Sequence, residues 1–438
     1  MSLSDLKTDI LDQFYNDIDD IVSGSENTII IVFGLVAFII CFFLTISKNY
    51  NDPYSKTTEV KKTPLVSLFV SVRNDEKLIV DCINSMINQT YTNKEIFVVD
   101  DASTDNTAKV IEKAFGTNDD IQIIYLKENI GKKRALAKAI IKSKGEILAF
   151  TDSDSKWQKE AIEKVVAIFD YDSDIGAVCG HCNASNASEN ILTKMQDSWY
   201  EKQYRFRKGF ESTFGSVSCV SGPIACYRRA TIYNYIPPWE NDTFLGKEFR
   251  FATDRTMTGF ALDGANLGPK IKTQYSNSDF IKKEYYPSKN WKIVYSKSVQ
   301  AWTSVPNNLE GMIKQRIRWN KSFIRNLFFT GKFYWKQPLI PALYYYSHIL
   351  YVLLSPILIF SVIGYLVLND YFSIFGIAFM GSVLISYLMN LTFSSKKLPF
   401  LGAIVNILYQ IVLPILLIYS ILTIREMKWS RNSTKAVK

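Results

Sequence analysis

Between residues 64 and 300, short apolar runs alternate with helical stretches, and this alternation limits the possible folds more than any other feature of the chain. The apolar runs predict strands, and the stretches between them predict helices. Strand–helix repeats of this length predict an α/β fold, a mostly parallel sheet with right-handed crossovers and flanking helices. The predicted strands are Val66–Val72, Glu95–Asp100, Ile121–Leu126 and Glu146–Phe150, and the predicted helices are Lys77–Asn88, Thr107–Phe115 and Lys132–Lys142.

Two acidic clusters follow predicted strands, where the ligands of parallel sheets bind. Asp100 and Asp101 end the second strand. A carboxylate there can accept a hydrogen bond from the N3–H of a uracil ring, and the plain alternative is an Asx turn that caps the next helix. The fourth strand leads into Asp152 and Asp154. Two carboxylates separated by one residue can hold a hard divalent cation, Mn²⁺ or Mg²⁺, which bridges the phosphates of a nucleotide diphosphate.

A basic cluster opens the third predicted helix, where Lys132, Lys133 and Arg134 follow Gly131. Backbone amides at a helix N-terminus, with these cations nearby, suit a diphosphate. A solvated basic face is the alternative, and both interpretations stay open at this point.

Cys179 and Cys182 form a Cys-x-x-Cys pair of the kind found in redox and zinc sites. One such pair without a second is insufficient for a structural zinc site. Because Ile175–Val178 predicts a strand, we expect two cysteines on or beside a core strand instead.

Four apolar runs predict membrane helices. The first, Thr28–Ser47, carries no charge and follows an acidic segment, whereas a signal peptide opens with a basic one. Leu339–Val367 and Phe372–Leu391 suit one crossing each. Leu398–Ile424 has positive charge on both sides and is broken by Pro414. That pattern favours a re-entrant or interfacial hairpin, and a single span is the alternative.

The positive flank after residue 47 predicts an outward N-terminus and a cytoplasmic α/β domain, in a multi-pass protein of the plasma membrane. The net charge of +9 indicates attraction to anionic lipid heads and anionic substrates rather than nucleic acid. The predicted segments are an acidic extracytoplasmic segment (1–27), a transmembrane helix (28–47), the α/β domain (63–300), a segment with interfacial helices (301–336), transmembrane helices with the hairpin (337–424) and a cytoplasmic tail (425–438).

The pentad Gln315-Arg-Ile-Arg-Trp319 follows the acidic clusters and precedes the C-terminal apolar runs. Together with Val70–Glu76, Val99–Asp105 and Asp152–Asp154, it resembles the processive family-2 glycosyltransferases, which have a GT-A fold, and within them the hyaluronan synthases. Further segments with this resemblance are Cys219–Pro223, Tyr227–Arg229, Arg318–Arg325 and Leu417–Trp429. The resemblance covers nearly the whole chain from residue 64 onwards. It implies an inverting synthase that polymerises UDP-N-acetylglucosamine and UDP-glucuronate at the cytoplasmic face and extrudes the polysaccharide.

The resemblance also implies residue roles on the donor side. The implied residues are Ser71, Asp100 and Asp101 at the nucleotide, Lys133 and Arg134 at the diphosphate, Asp152 and Asp154 at the nucleotide and the metal, and Trp429 and Arg431 in a segment that closes over bound nucleotide. Of the two carboxylates, Asp154 is the expected direct ligand of the metal.

On the acceptor side, the resemblance implies Asp254 as the catalytic base, and Gln315 belongs to the same catalytic group. Arg318 would stabilise the leaving diphosphate, and Trp319 would stack under the terminal acceptor sugar. The acceptor pocket would be lined by Cys219, Ser221, Gly222 and Pro223. The implied partners are the UDP-sugar donor, the growing polysaccharide and membrane lipids.

Three other functions are compatible with parts of the sequence. A chitin-like or poly-N-acetylglucosamine synthase would polymerise a single sugar, and a non-processive transferase would add one sugar to a lipid-linked acceptor. A transporter or lipid-binding scaffold with a degenerate soluble domain would have lost the strand-end carboxylates. Asp101, Asp152, Asp154 and Asp254 are all present, which argues against the scaffold.

Overall fold

The computed structural model describes residues 42, 45–56, 62–369 and 412–427, and for residues 355 and 357–369 the backbone alone. The chain divides into two compact units, Met1–Asn49 and Tyr50–Lys438. The predicted features that lie outside the described residues are segment 1–27, nearly all of the run 28–47, the run 372–391, residues 398–411, Trp429 and Arg431. The sheet, its helices and the candidate site all belong to the second unit.

The second unit is built around a mixed sheet. The described strands are β1 (Val66–Val72), β2 (Lys94–Asp100), β3 (Ile121–Tyr125), β4 (Ile147–Asp152), β5 (Ser155–Trp157), β6 (Ile175–Ala184), β7 (Ala225–Arg228), β8 (Thr243–Phe244), β9 (Lys247–Glu248) and β10 (Lys292–Thr303). Eight of them form one sheet in the order β3-β2-β1-β4-β7-β6-β10-β5, while β8 and β9 form a separate hairpin. Strands β3, β2, β1 and β4 are mutually parallel, as are β6 and β10, and β7 and β5 are antiparallel to their neighbours.

Helices flank this sheet and extend beyond it. The described helices are α1 (Ile79–Ile87), α2 (Thr107–Phe115), α3 (Lys132–Ile140), α4 (Ala161–Tyr171), α5 (Ile191–Lys202), α6 (Gly209–Thr213), α7 (Arg229–Ile232), α8 (Ile236–Glu240), α9 (Thr253–Leu262), α10 (Gly264–Gln274), α11 (Asp279–Lys283), α12 (Leu309–Leu327) and α13 (Leu339–Asn369). A π-helical segment, Gln203–Lys208, continues α5 into α6. Residues 412–422 form a further helix.

The sheet has a core on each face, because successive strand residues point to opposite sides. On one face, Phe69 stacks between Phe97 and Phe150, with ring centroids 5.2 and 5.1 Å apart. On the other face, the neighbouring residues Leu68 and Val70 lie in a second apolar cluster. All seven residues of β1 are buried, as a central strand covered on both faces requires.

The four predicted strands and three predicted helices between residues 64 and 150 are confirmed, with ends that shift by at most two residues. The strand predicted at Ile175–Val178 is also present, but it continues to Ala184. The fourth strand extends to Asp152, so the first carboxylate of that cluster belongs to the strand itself. The sheet is less uniformly parallel than predicted, because β7 enters antiparallel between β4 and β6.

The Cys-x-x-Cys pair lies on the core strand β6, as expected. Cys179 and Cys182 are buried and carry no disulfide. Between them, His181 is held by Tyr295 Oη at 2.7 Å and by Glu201 at 3.0 Å.

The segment before β1 is fixed to β10 by one buried carboxylate. Asp52 accepts hydrogen bonds from the Ser296 hydroxyl at 2.7 Å and from the Ser298 amide and hydroxyl at 2.9 and 2.8 Å. The Tyr54 amide donates to the same carboxylate at 3.1 Å.

The prediction of a transmembrane region, and with it that of a multi-pass protein of the plasma membrane, is wrong for the described residues. Within them, no helix combines the length and the apolar character that a bilayer crossing requires. The predicted crossing Leu339–Val367 falls on α13, whose first turns pack against the α/β domain. Tyr345 stacks on Tyr334 with centroids 4.1 Å apart, and His348 Nε2 lies 3.2 Å from Arg207 Nη1.

Candidate active site

The carboxyl ends of β1, β2 and β4 form one edge of the sheet. The chain passes outward from β1 to β3 and then returns to place β4 on the other side of β1, which makes a topological switch point. Ser71 lies opposite Asp152, and Val72 lies opposite Asp100. The sheet register therefore brings three of the predicted nucleotide residues to one edge.

Asp100 and Asp101 are both buried and both hold loops of this edge. Asp100 accepts from the Ser103 hydroxyl and, at 3.2 Å, from the Ser103 amide, which closes a turn after β2. This turn does not cap α2, whose N-cap residue is Asn106. Asp101 accepts from Asn129 Nδ2 at 2.9 Å and from the Ile130 and Gly131 amides at 2.8 and 3.0 Å. Burial raises the pKa of the Asp101 carboxyl, and the two amides oppose that shift. The uracil role of Asp101 stays a prediction.

The three cations at the start of α3 go to three different partners. Lys132 forms an ion pair with Asp152. Lys133 turns into the interior, where its Nζ lies 2.7 Å from Asp242. Arg134 is half-exposed and lies 3.4 Å from Glu248. Lys132, rather than Lys133, is therefore the cation that reaches the acidic turn at the end of β4.

The turn that carries Asp152 and Asp154 joins β4 to β5 and leaves both side chains half-buried. Asp154 accepts from the Thr303 hydroxyl at 3.1 Å. Among the described residues, no three His, Cys, Asp or Glu side chains converge on one point. Two carboxylates suit an ion such as Mg²⁺, which binds one or two carboxylates and completes its shell with substrate phosphates and water. The donor set therefore fits the predicted metal.

The predicted acceptor loop, residues 219–223, lies directly against this edge. A Cβ on Gly222 would come within 2.7 Å of Asp152 Oδ2, so only glycine allows this approach without displacement. Two hydrogen bonds fix the loop in place. Lys208 donates to the Cys219 carbonyl, and the Ser221 amide donates to Cys179 Sγ at 3.4 Å.

Asp254 lies in the first turn of α9, where the helix dipole favours a negative charge. The residue before this helix turn, Ala252, has φ 59°, a left-handed conformation that bends the chain into the helix. The Cys219 thiol donates to Asp254 Oδ2 at 3.7 Å. Burial and the Asp254 carboxylate together raise the pKa of the Cys219 thiol to about 12, which keeps it neutral. The candidate base thus meets the acceptor loop.

The pentad lies on α12 and points its residues in two directions. Arg316 is buried, with its guanidinium carbon 4.2 Å from the Trp199 ring centroid and 4.5 Å from that of Trp319. Trp319 stacks on Trp199 with centroids 5.9 Å apart, and Tyr200 lies beside it at 6.3 Å. Arg318, two residues from Arg316, projects from another side of the helix and is half-buried.

The C-terminal helix is attached to the pentad helix through Lys321. Its Nζ donates to the carbonyls of Thr423 at 2.6 Å and Glu426 at 2.8 Å. A cation at the C-terminus of a helix satisfies carbonyls that have no partner within the helix. Trp429 and Arg431, the predicted closing residues, follow just beyond the described part.

Sequence reasoning missed four residues that shape this site: Arg316, Trp199, Asp242 and Arg325. The spacing of Arg316 and Trp319, three residues apart on one helix, is the signal that could have paired them. Nothing in the local sequence of Asp242 indicates that two cations from distant segments converge on it.

The chain is similar to proteins of known family. Residues 67–235, from β1 to just beyond β7, match the family model described as Glycosyl transferase family 2. The hyaluronan synthase of Streptococcus pyogenes is 28% identical over 378 residues, which cover 83% of this chain and 82% of that protein. An N-acetylglucosaminyltransferase of Rhizobium leguminosarum bv. viciae is 26% identical over 393 residues, 87% of this chain and 85% of that one. Among solved structures, the mannosyltransferase PcManGT from Pyrobaculum calidifontis, in complex with GDP-Man and Mn²⁺, aligns with a TM-score of 0.49 and 18% identity over 89% of this chain and 95% of that chain.

Proposed function

This chain carries a glycosyl transferase family 2 domain and is a glycosyltransferase, and on that premise we propose that it is a processive, inverting polysaccharide synthase. The donors we propose are UDP-N-acetylglucosamine and UDP-glucuronate, which would make the product hyaluronan. The streptococcal hyaluronan synthase, similar over 83% of this chain, supports this choice of donors.

The observation that carries the proposal is the contact between the predicted acceptor loop, residues 219–223, and the carboxyl ends of β1, β2 and β4, which we call the donor edge. Gly222 approaches the Asp152 carboxylate so closely that no side chain fits between them. Cys219, three residues earlier, contacts Asp254. A donor held at the strand ends and an acceptor held by this loop would therefore meet beside a carboxylate.

On the donor side, Lys132 and the first amides of α3 would bind the diphosphate, since a helix N-terminus favours anions. Asp101 accepts hydrogen bonds from the Ile130 and Gly131 amides and so fixes the N-terminus of α3. Asp152 and Asp154 would hold Mn²⁺ or Mg²⁺, and that ion would neutralise charge on the departing diphosphate.

The transfer itself would need a base and a fixed acceptor. Asp254 would take the proton of the acceptor hydroxyl as that oxygen attacks the anomeric carbon. The bond between that carbon and the UDP oxygen would break with its electron pair leaving on UDP. Attack from the face opposite UDP would invert the configuration at that carbon. Trp319 would stack on the terminal sugar, and Arg318 would stabilise the leaving diphosphate.

Purified protein would test the donor assignment. It would be given UDP-N-acetylglucosamine with and without UDP-glucuronate, in the presence of Mn²⁺ or Mg²⁺, and the product would be sized. Long product that requires both donors supports the proposal. Addition of a single sugar, without further extension, would contradict processivity.

A second candidate has its own support. The rhizobial N-acetylglucosaminyltransferase is similar over 87% of this chain, which favours a product of N-acetylglucosamine alone. Polymer made from the first donor without the second would select this candidate, a chitin-like or poly-N-acetylglucosamine synthase.

The base assignment has a separate test. Asp254→Asn removes the proton acceptor but keeps the size of the side chain and its place in α9. We expect loss of transfer with UDP affinity retained, measured by product formation and by calorimetric titration with UDP. Transfer near the wild-type rate would show that another group takes the proton.

A further inference from the structure

Three ionic side chains from distant segments meet in the interior of the second unit. Asp242 accepts from Lys133 Nζ at 2.7 Å, and Arg325 Nε lies 3.2 Å from both of its oxygens. The side chains of Lys133, Asp242 and Arg325 are 5%, 3% and 11% exposed. Lys133 also donates to the Phe249 carbonyl at 3.1 Å. We call this cluster the Asp242 triad.

The triad is not explained by stability alone. A buried ion pair often contributes no more to stability than apolar side chains of the same volume, because removing the charges from water costs so much. Its distinctive property is geometric. The Asp242 carboxylate accepts hydrogen bonds from the Lys133 ammonium group and from the Arg325 guanidinium group at the same time. These bonds fix the orientation of α3 relative to α12.

Each residue of the triad is connected through the chain to a different part of the candidate active site. Lys133 follows Lys132, which pairs with Asp152 at the donor edge. Arg325 lies on α12, the helix that carries the pentad and Trp319.

The backbone of Asp242 is connected to the candidate base, Asp254. The Phe249 amide donates to the Asp242 carbonyl at 2.8 Å and so closes the β8–β9 hairpin. The chain then runs through the left-handed Ala252 into the first turn of α9, which contains Asp254. Asp242 therefore joins α3, α12 and the segment that precedes Asp254.

We propose that Asp242 is a positioning residue that holds α12 in register with α3, so that the acceptor hydroxyl, and not water, meets the anomeric carbon of the bound donor. This inference rests on the proposed function. In productive transfer, the acceptor oxygen bonds to the anomeric carbon, its proton passes to Asp254, and UDP leaves with the bonding electron pair. In the competing hydrolysis, a water oxygen takes the place of the acceptor oxygen, and one of its protons passes to the base.

The test measures UDP release and sugar transfer in the same reaction. Asp242→Asn keeps the shape of the side chain and removes its charge. We expect transfer turnover to fall about tenfold or more, because small displacements of reacting groups cost large factors in rate. The affinity for UDP should stay within about twofold of wild type, since the Lys132–Asp152 pair is untouched. UDP release should exceed transfer severalfold more than in wild type.

Two further variants make the result decisive. Arg325→Lys keeps the charge but loses the two-pronged contact, so we expect the same shift towards hydrolysis, smaller in size. It decides the question if Asp242→Asn does not fold. Asp174→Asn, which removes exposed pairs with Lys289 at 3.1 Å and with Lys292 at 3.8 Å, is the control and should leave the ratio unchanged.

The ratio separates positioning from a merely structural role, because a smaller folded fraction lowers release and transfer equally. An unchanged ratio in Asp242→Asn and Arg325→Lys, with wild-type protein active, refutes this inference alone. Loss of UDP affinity in step with transfer also refutes it, since the triad would then act on the donor. A wild-type protein that neither releases UDP nor transfers sugar refutes the proposed function and this inference with it.

Discussion

The substitution Gly222→Ala tests whether the acceptor loop and the donor edge meet as closely as the structure indicates. The added methyl group would lie 2.7 Å from Asp152 Oδ2 and 3.1 Å from Oδ1. An ordinary carbon–oxygen contact is about 3.4 Å, so the carboxylate or the loop must move by about 0.7 Å. Because Asp152 is paired with Lys132, a shift of its carboxylate also displaces that cation.

The size of the effect follows from that displacement. Overpacking by one methyl group costs about 1–3 kcal/mol of folding free energy. A misplacement near 1 Å in an active site costs about 100-fold in rate, so we expect turnover to fall by roughly 10- to 100-fold. The protein should remain folded, and the loss should concern turnover more than overall structure.

Steady-state transfer and the thermal unfolding midpoint would be measured on the same preparations. Gly331→Ala is the matched control, because a Cβ at Gly331 meets nothing within 4 Å. Turnover within twofold of wild type together with an unchanged midpoint would refute the close contact itself. A lowered midpoint with normal turnover would confirm the contact and refute the expected effect of Asp152 on the reaction.

Three further predictions concern the framework of the site. Phe97→Ala removes the outer ring of the stack on Phe69 and should lower the unfolding free energy by about 3–5 kcal/mol in urea titration, whereas a loss below about 1 kcal/mol would mean that the sheet face repacks freely. Asp52→Asn leaves either the Tyr54 or the Ser298 amide facing a second donor, so we expect a loss of about 2–3 kcal/mol by the same titration, and an unchanged midpoint would contradict the four hydrogen bonds assigned to this carboxylate. Burial lowers the pKa of Lys133 from its ordinary value of 10.5 to about 8. Above pH 8 the unfolded chain binds the extra proton, so stability relative to Lys133→Met should rise from about pH 8 towards 10, and a flat difference over that range would contradict the shift.

The central sheet could be predicted because its signal is local. Each of β1 to β4 is an apolar run bounded by polar residues, and the carboxylates that follow mark the ligand edge without knowledge of the fold. The mixed half of the sheet was not predicted, since β7 pairs with β4 across about seventy residues of intervening chain, and no local pattern encodes such pairing.

The roles of the cations were harder to predict for the same reason. Lys132 and Lys133 are neighbours on a helix and are about 100° apart around its axis, so one reaches Asp152 and the other turns inward. Which of them faces the donor edge depends on how α3 is rotated, and that rotation is set by packing. The membrane crossing predicted at Leu339–Val367 was wrong because hydropathy does not separate two kinds of helix. An apolar run long enough to cross a bilayer also suits a helix whose first turns pack on the domain.

The hydrogen bonds from Lys321 to the carbonyls of Thr423 and Glu426 have a practical consequence for shortened versions of this chain. A chain cut after residue 422 would keep residues 412–422 but lose both carbonyls that receive the ammonium group. A buried ammonium without acceptors is costly, so α12 would have to rearrange around it. Deletions intended to remove only the last residues should therefore stop beyond Glu426, and any tag attached there would sit close to the helix that carries the pentad.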